Sequence, residues 1–438
     1  MLKTLQNAFK IKEVREKLLY TFFMLVVTRI GSQLPIPGVN TTFFQELFTR
    51  QSNDAFGFFN TITGGSFTNM SVFALSITPY ITSSIIMQLL TIAIPKLEEM
   101  QQEGEDGRKK IQTISRYLTV ALALIESIAM TVGFGSRGLL AANTIPNKIV
   151  VIAAMTAGSA FLMWIGEEIT EHGVGNGISI VLLINIVSRI PDDFVTLFDQ
   201  FMKGQTILNA VVAAVVIIAV VLVTVVFVIF LQDGERRIPV QYAKKMQGRK
   251  MVGGQSTNIP LKVNTAGVIP VIFASSLMSF PNVIASLLGK TGGTGIGSKI
   301  MTGLSQSSWC DPSRPIYSLG LVLYIVLVVF FAYFYTSITF NPIEISNNMK
   351  RQGGFIPGIR PGKPTTEYLS RILNYIVFIG AVGLIIVCVI PIFFNGMFGA
   401  NVSFGGTSII IIVGVVLETM KQIESMMVNR NYRGFLSE

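Results

Sequence analysis

Few side chains in this sequence could do covalent or metal chemistry. His172 is its one histidine, and Cys310 and Cys388 are its two cysteines. Cys388 falls inside an apolar run and Cys310 in a connecting segment, so neither a disulfide nor a thiolate metal site is expected. A single imidazole argues against histidine metal centres and triads. Glu126, in LALIESIAM, is a carboxylate at membrane depth, costly unless it meets water or a partner. Glu167, Glu168, Glu171 and His172 read as the solvated end of an apolar segment. GIRPGKP is one residue short of the phosphate-loop spacing and has Pro364 in place of Ser or Thr, so no nucleotide or other cofactor site is expected. The chemistry left is that of polarity, shape and charge.

The elements that must position these residues are membrane helices. Half of the 438 residues are hydrophobic and 13% are charged, and the apolar residues fall in long runs. The fold class expected is all-α and polytopic. Ten spans are read at about 18–35, 72–94, 114–134, 149–167, 177–190, 207–231, 265–288, 316–338, 370–392 and 406–426. Residues 1–17 form a basic amphipathic lead suited to the membrane surface, without the small-residue cleavage site of a signal peptide. Lys and Arg concentrate in alternate loops, among them Lys3, Lys10, Arg108, Arg236, Lys245, Arg360, Lys421 and Arg430. That bias places both termini in the cytoplasm.

Ten spans divide into five and five, so the second half is inverted relative to the first. ITPYITSS in span two and VIPVIFAS in span seven align Pro79 with Pro270, Ile81 with Ile272 and Ser84 with Ser275. Spans five and ten both open on glycine, in GVGNGIS and FGGTSI. Matched pairs of broken or short spans point to the centre of an inverted repeat. The halves expected are 18–195 and 196–430, with a tail at 431–438.

At that centre Ile77 and Ile81 share a helix face, as do Ile178 and Leu182; Ile269 and Ile272 lie three apart, and Ile411 is the contribution expected from span ten. A site for an ion or solute would want charge or carbonyls there. Aliphatic side chains at mid-membrane instead make a constriction that blocks water and ions. Before span two, Gly57 to Asn69 (GFFNTITGGSFTN) is polar, glycine-rich and too short to cross, and is read as a half-helix, with Pro79 breaking span two early. Thr82, Ser83, Ser84 and Gln88 give span two a polar strip, and Ser275, Ser276 and Ser279 give one to span seven. Such strips serve as packing glue or as an interface that separates.

Two basic loops, about 232–264 and 341–366, are longer than topology requires. Their Pro and Gly favour stiff projecting turns rather than helix. Their Arg and Lys suit phosphates or an acidic protein surface.

Together LPIPG (34–38), ALSITPYITSSIIMQLL (74–90), ITEHGVGNGISI (169–180), ERRIPVQYAKK (235–245), VNTAGVIPVIFASS (263–276) and NPIEISNNMKRQGGFIPGIRPGKPT (341–365) closely resemble the bacterial SecY family, over almost the whole chain. The resemblance implies a channel, not an enzyme, that passes unfolded secretory polypeptides across the cytoplasmic membrane and releases hydrophobic segments into lipid. It implies an hourglass pore closed by an external plug half-helix, here Gly57, Phe58, Asn60, Gly64, Gly65, Phe67 and Asn69. The pore ring maps onto Ile77, Ile81, Ile178, Leu182, Ile269, Ile272 and Ile411. A lateral gate between spans two and seven maps onto Thr82, Gln88, Glu126, Ser275 and Phe280; Phe280 stands where archaeal relatives are polar. Arg236, Arg237, Lys244, Lys245, Arg351 and Arg360 match positions that contact the ribosome or the SecA motor. The other partners implied are the small membrane subunits SecE and SecG, precursors with signal sequences, and membrane lipid. The alternative use of a five-plus-five repeat, a secondary transporter for a small solute, leaves the aliphatic midplane, the polar half-helix and the basic loops unaccounted for.

Overall fold

The computed structural model describes residues 2–42, 60, 63–202, 207–242, 245–247, 250–252, 256–287, 296–305, 308–310, 315–398 and 406–434. In chain order the first half contains α1 (Leu2–Lys10), α2 (Lys12–Gln33), α3 (Thr78–Ala93), α4 (Pro95–Gln102), α5 (Glu105–Phe134), α6 (Ile145–His172), α7 (Gly177–Val187) and α8 (Ile190–Phe201). Then come α9 (Ile207–Asp233), strands β1 (Glu235–Tyr242), β2 (Lys245–Gln247), β3 (Lys250–Val252) and β4 (Ser256–Lys262), and α10 (Ile269–Leu287). The chain ends with α11 (Ile296–Leu304), α12 (Leu319–Thr339), α13 (Pro342–Arg351), β5 (Gly354–Phe355), α14 (Lys363–Phe398) and α15 (Gly406–Gly434).

Each of the ten expected spans contains a helix, and the differences lie in length. Among the described residues five helical stretches are long and apolar enough to cross a membrane: α5, α6, residues 214–233 of α9, residues 315–351 and residues 363–394. A sixth is added if α3 and α4, bent by 106° at Ile94, count as one. Span two is shorter than expected because its helix starts only at Thr78. Pro79 occupies the second helical position rather than interrupting the helix, where its missing N–H costs nothing and its fixed φ suits the first turn. Residues 72–77 before it form turns. α7 has 11 residues, about 16 Å of helix, roughly half a hydrocarbon core. Asn176 starts it by accepting hydrogen bonds from the Ile178 and Ser179 amides at 3.2 and 3.3 Å.

Within the first half α5 packs on α6 and α3, and α6 on α7; within the second, α10 packs on α12, α12 on α14 and α9 on α15. Trp309, Tyr324, Val328, Leu384 and Cys388 lie in the core of the second half. The halves meet where α7 and α2 touch α15 and where α10 touches α5. Leu162, Ile165, Ile180, Val181 and Leu182 from the first half share an apolar cluster with Ile411 and Val415 from the second.

The two basic loops are not simply projecting turns. β1 pairs antiparallel with β4 from Glu235↔Lys262 to Gln241↔Ser256, and β5, from the second loop, pairs with the end of β1 through Gln241↔Phe355 and Tyr242↔Gly354. Ile238 and Val240 alternate with exposed residues and, with Leu261, face Leu369, Ile372 and Ile376 of α14. Pro239 fits a strand in the middle of this sheet because β5 is two residues long and leaves that side of β1 unpaired at residue 239. The second loop also contains a helix, α13, capped by Asn341, whose Oδ1 accepts from the Ile343 amide at 3.1 Å. With Arg236 and Arg237 exposed on it, this sheet marks the basic face of the molecule. α1 and the later part of α15 lie against each other through Ala8, Met420 and Ile423.

Candidate functional site

Side chains from α3, α7, α9, α10 and α15 surround a cavity of about 540 Å³ between the halves. Ile81, Ile178, Leu182, Ile269, Ile272 and Ile411 all line it, so six of the seven residues expected at mid-membrane come together from four helices. Ile77 does not line the cavity. It caps α3, is fully buried, and packs in the same apolar cluster as Leu182 and Ile411.

The cavity is layered. On α3 Gln88 lies seven residues beyond Ile81, about 10 Å along the axis toward the basic face. Gln232 at the end of α9 and Asn264 before α10 line the same layer. Farther out Lys421 of α15 donates to Asp233 at 2.6 Å, with Glu418 and Lys262 beside it on the wall. The sequence reading named Gln88 and missed Gln232 and Asn264. Their signal was a polar residue at each end of the basic loop, where an amide next to charged residues looks unexceptional.

On the other side of the aliphatic layer α7 turns polar. Asn185, three residues past Leu182 and 2% exposed, donates through Nδ2 to Ser76 Oγ at 3.2 Å. Ser76 has φ +52°. Against this stretch lies the glycine-rich segment, of which Gly57 and Phe58 fall outside the described residues and Asn60 is buried. From Thr63 to Met70 the chain makes turns, not the regular half-helix expected. Gly65 N donates to Asn60 O, Asn69 N to Gly65 O and Ser71 N to Ser66 O, each at 3.0–3.1 Å. The reason is local: Gly64 and Gly65 have φ of +63° and +84°, outside right-handed helix. A Cβ on Gly64 would come 2.7 Å from the Asn185 carbonyl oxygen, so the segment's backbone rests directly on α7. Arg29 Nη1 donates to the Gly64 carbonyl at 3.5 Å. Phe67 and Met70 anchor the far end among Phe134, Leu139 and Leu140.

The residues expected at a lateral gate do not converge. Thr82 Oγ1 donates to Thr78 O within its own helix at 3.1 Å. Ser275 donates to Tyr324 Oη at 3.4 Å, toward α12 rather than α3. Glu126 is half-buried. Gln88 faces the cavity, and the Phe280 side chain lies outside the described residues. In the basic loops Arg236, Arg237, Arg351 and Arg360 are exposed, and Arg237 pairs with Glu235 at 2.6 Å. The β1–β5 pairing joins the two loops into one surface. Lys244 and the side chain of Lys245 lie outside the described residues. Among the described residues no group of His, Cys, Asp and Glu could hold a metal ion, and burial raises the Cys310 thiol above its ordinary pKa, away from thiolate reactivity.

A predominantly helical membrane fold in two halves around a layered cavity is the architecture of a polytopic membrane channel or transporter. Comparison with known proteins narrows that class. The SecY family profile matches residues 71–420, and the chain belongs to the SecY family. It is 43% identical to the protein translocase subunit SecY of Halalkalibacterium halodurans and 44% to that of Streptomyces scabiei, in both cases across the full length of both chains. The Mycobacterium bovis protein of the same name is 41% identical, also over both full lengths. Among solved structures, a protein-conducting channel superposes with a TM-score of 0.61 at 21% identity, covering 94% of this chain and 93% of the other. Sec61 from a canine ribosome–channel complex gives 0.61 at 19%, over 94% and 93%.

Proposed function

We propose that this chain is the gated, protein-conducting subunit of a membrane translocase. It passes unfolded polypeptide along the axis of the cavity and releases hydrophobic segments sideways into lipid. The observation that carries the reading is the convergence of six aliphatic side chains from both halves, with polar layers on either side. A solute transporter would place charge or carbonyls at that depth; a ring of Ile and Leu excludes water and ions while yielding to a chain of any sequence. The segment Thr63–Met70, with the residues preceding it, is the plug, seated on Asn185 beyond the ring.

The basic face lies in the cytoplasm with both termini. Its exposed Arg236 on β1, with Arg351 and Arg360 on either side of β5, are the docking surface for a ribosome or an ATP-driven motor of the SecA kind. Small SecE- and SecG-like membrane subunits complete the assembly. The lateral gate runs between α3 and α10. Its named polar residues Thr82 and Ser275 bond within α3 and to α12, so no polar cluster joins the two helices through them. The work of transport comes from the partner, since the family is one of translocase subunits and not of enzymes.

Replacing both Ile81 and Ile272 with Asn wets the constriction. The expected result is a channel that conducts ions at rest, recorded as single-channel current in a planar bilayer. A resting conductance no different from the native protein would overturn the seal.

A further inference from the structure

Residues 191–206 belong to none of the ten expected spans, yet α8 occupies most of that stretch, running Ile190–Phe201. With 12 residues it is about 18 Å long, too short to cross a bilayer. It begins three residues beyond α7, whose Asn185 meets the glycine-rich turn. It therefore starts at the end of the molecule away from the basic face. Pro191 at its second position and Asp192 in its first turn suit a helix start.

The helix has three distinct sides. At about 100° per residue, Phe194, Phe198, Pro191 and Val195 fall within one arc of roughly 100°. All four are exposed, Phe194 at 49%, Phe198 at 55% and Val195 at 61%. Asp199, Asp192, Thr196 and Gln200, also exposed, fill a second arc of about the same width. On the remaining side Asp193 is 6% exposed, with Ile190, Leu197 and Phe201 half-buried beside it. One side thus meets the protein, one is apolar and one is polar.

That division fits a boundary between an apolar phase and water. The position of α8 supplies such a boundary. It leads from α7, packed on the membrane helix α6, toward α9, whose residues 214–233 are long and apolar enough to cross. Lipid surrounds the molecule at that depth, and aromatic side chains concentrate where hydrocarbon gives way to headgroups. The charge of the helix selects the lipid. α8 contains three Asp and neither Lys nor Arg. Basic interfacial helices draw on anionic headgroups, whereas carboxylates are repelled by them. Its hold must come from burial of apolar surface, on zwitterionic or uncharged lipid.

We propose that α8 is an interfacial anchor, with Phe194, Val195 and Phe198 sunk into the outer leaflet and Asp192 and Asp199 in water. The two halves are expected to divide at residues 195 and 196, in the middle of this helix, so the anchor pins their joint to the lipid surface. Its assignment to the outer leaflet rests on the channel reading above; its contact with lipid does not.

The test reads that contact directly, on the full-length protein in phosphatidylcholine vesicles. Phe198→Trp and Thr196→Trp place an indole on the apolar and the polar side. Subtracting the native emission, which comes from Trp164 and Trp309, isolates each. A phospholipid with a nitroxide near the top of its acyl chain is expected to quench the first at least about threefold more strongly than the second. Acrylamide in the buffer is expected to do the reverse. Adding Phe194→Glu to Phe198→Trp should cut the lipid quenching about twofold or more. Adding phosphatidylglycerol to the vesicles should leave the quenching equal or lower. If acrylamide reached both indoles alike, the apolar side would lie in water and the anchor would fail. If neither quencher reached the indole of Phe198→Trp, a protein partner or a second copy would cover that side, and the anchor would fail equally. Quenching that rose with phosphatidylglycerol would overturn the choice of lipid. None of these results involves transport, so the channel reading stands or falls separately, on the conductance of the Ile81 and Ile272 variant.

Discussion

Two turns in this molecule occupy equivalent places in the two halves and are built in opposite ways. Each lies three residues before a proline, Pro79 or Pro270, that takes the second position of its helix. Each holds one residue in left-handed backbone, Ser76 at φ +52° and Gly267 at φ +64°. Around Ser76 the protein is closed. Ser76 is 1% exposed, its hydroxyl accepts from Asn185, and the preceding Val72 packs so tightly on α6 that a Cβ at Gly158 would overlap the Val72 carbonyl. Around Gly267 it is open: a Cβ there would meet nothing within 4 Å, and the glycine lines the cavity. A side chain in strained backbone persists where a partner holds it; glycine serves where none does. One turn is therefore a fixed seat against the glycine-rich segment 63–70, and its counterpart leaves free space beside the cavity.

Three substitutions test that contrast, and the predicted order of their costs is its sharpest form. Gly64→Val combines a β-branched residue at positive φ with a clash against the Asn185 carbonyl, and should destabilise by about 3 kcal/mol or more. A thermal melt of the purified protein in detergent measures it, and a midpoint equal to native would dismiss the seat. Ser76→Ala strands the Asn185 amide in a buried site, for a loss of about 2 kcal/mol in the same assay. Gly267→Ala meets no neighbour and bears only the backbone cost, about 1 kcal/mol. If Gly267→Ala cost more than Ser76→Ala, the open and closed descriptions would be exchanged.

The parts legible in the sequence were those governed by period and run length. Apolar runs located the helices, and the alignment of Pro79 with Pro270 anticipated a correspondence that extends to the φ of the residue three places before. The aliphatic faces of α3, α7, α10 and α15 were readable because i, i+4 spacing fixes which side chains share a side. Ile77 was placed one layer too near the cavity because it was counted as helix, whereas it caps α3. The β1–β4 sheet was missed although Ile238 and Val240 alternate, because Pro239 sits between them and Pro in a short run argues against a strand. That argument lapses when one side of the strand is unpaired. The stretch holding Gly64 and Gly65 was read as a half-helix, whereas their positive φ gives the chain a tight turn that lies on Asn185. Side-chain orientation across spans, as with Ser275 turning to Tyr324, depends on rotation of a helix about its own axis. No single-sequence pattern encodes that angle to the needed accuracy.

The short β-sheet has a mechanical consequence. β1 begins two residues after α9, and β4 ends two residues before Asn264 and seven before α10. β5 ties a second loop, and behind it α14, to the same strand. Arg236 therefore sits on a strand paired with β4 along its length and with β5 at its end, and Arg360 five residues beyond β5, rather than on two separate loops. Seven residue pairs, Gln241↔Ser256 to Glu235↔Lys262, bind the two ends of the first loop together, so that the end of α9 and the turn leading into α10 are held side by side.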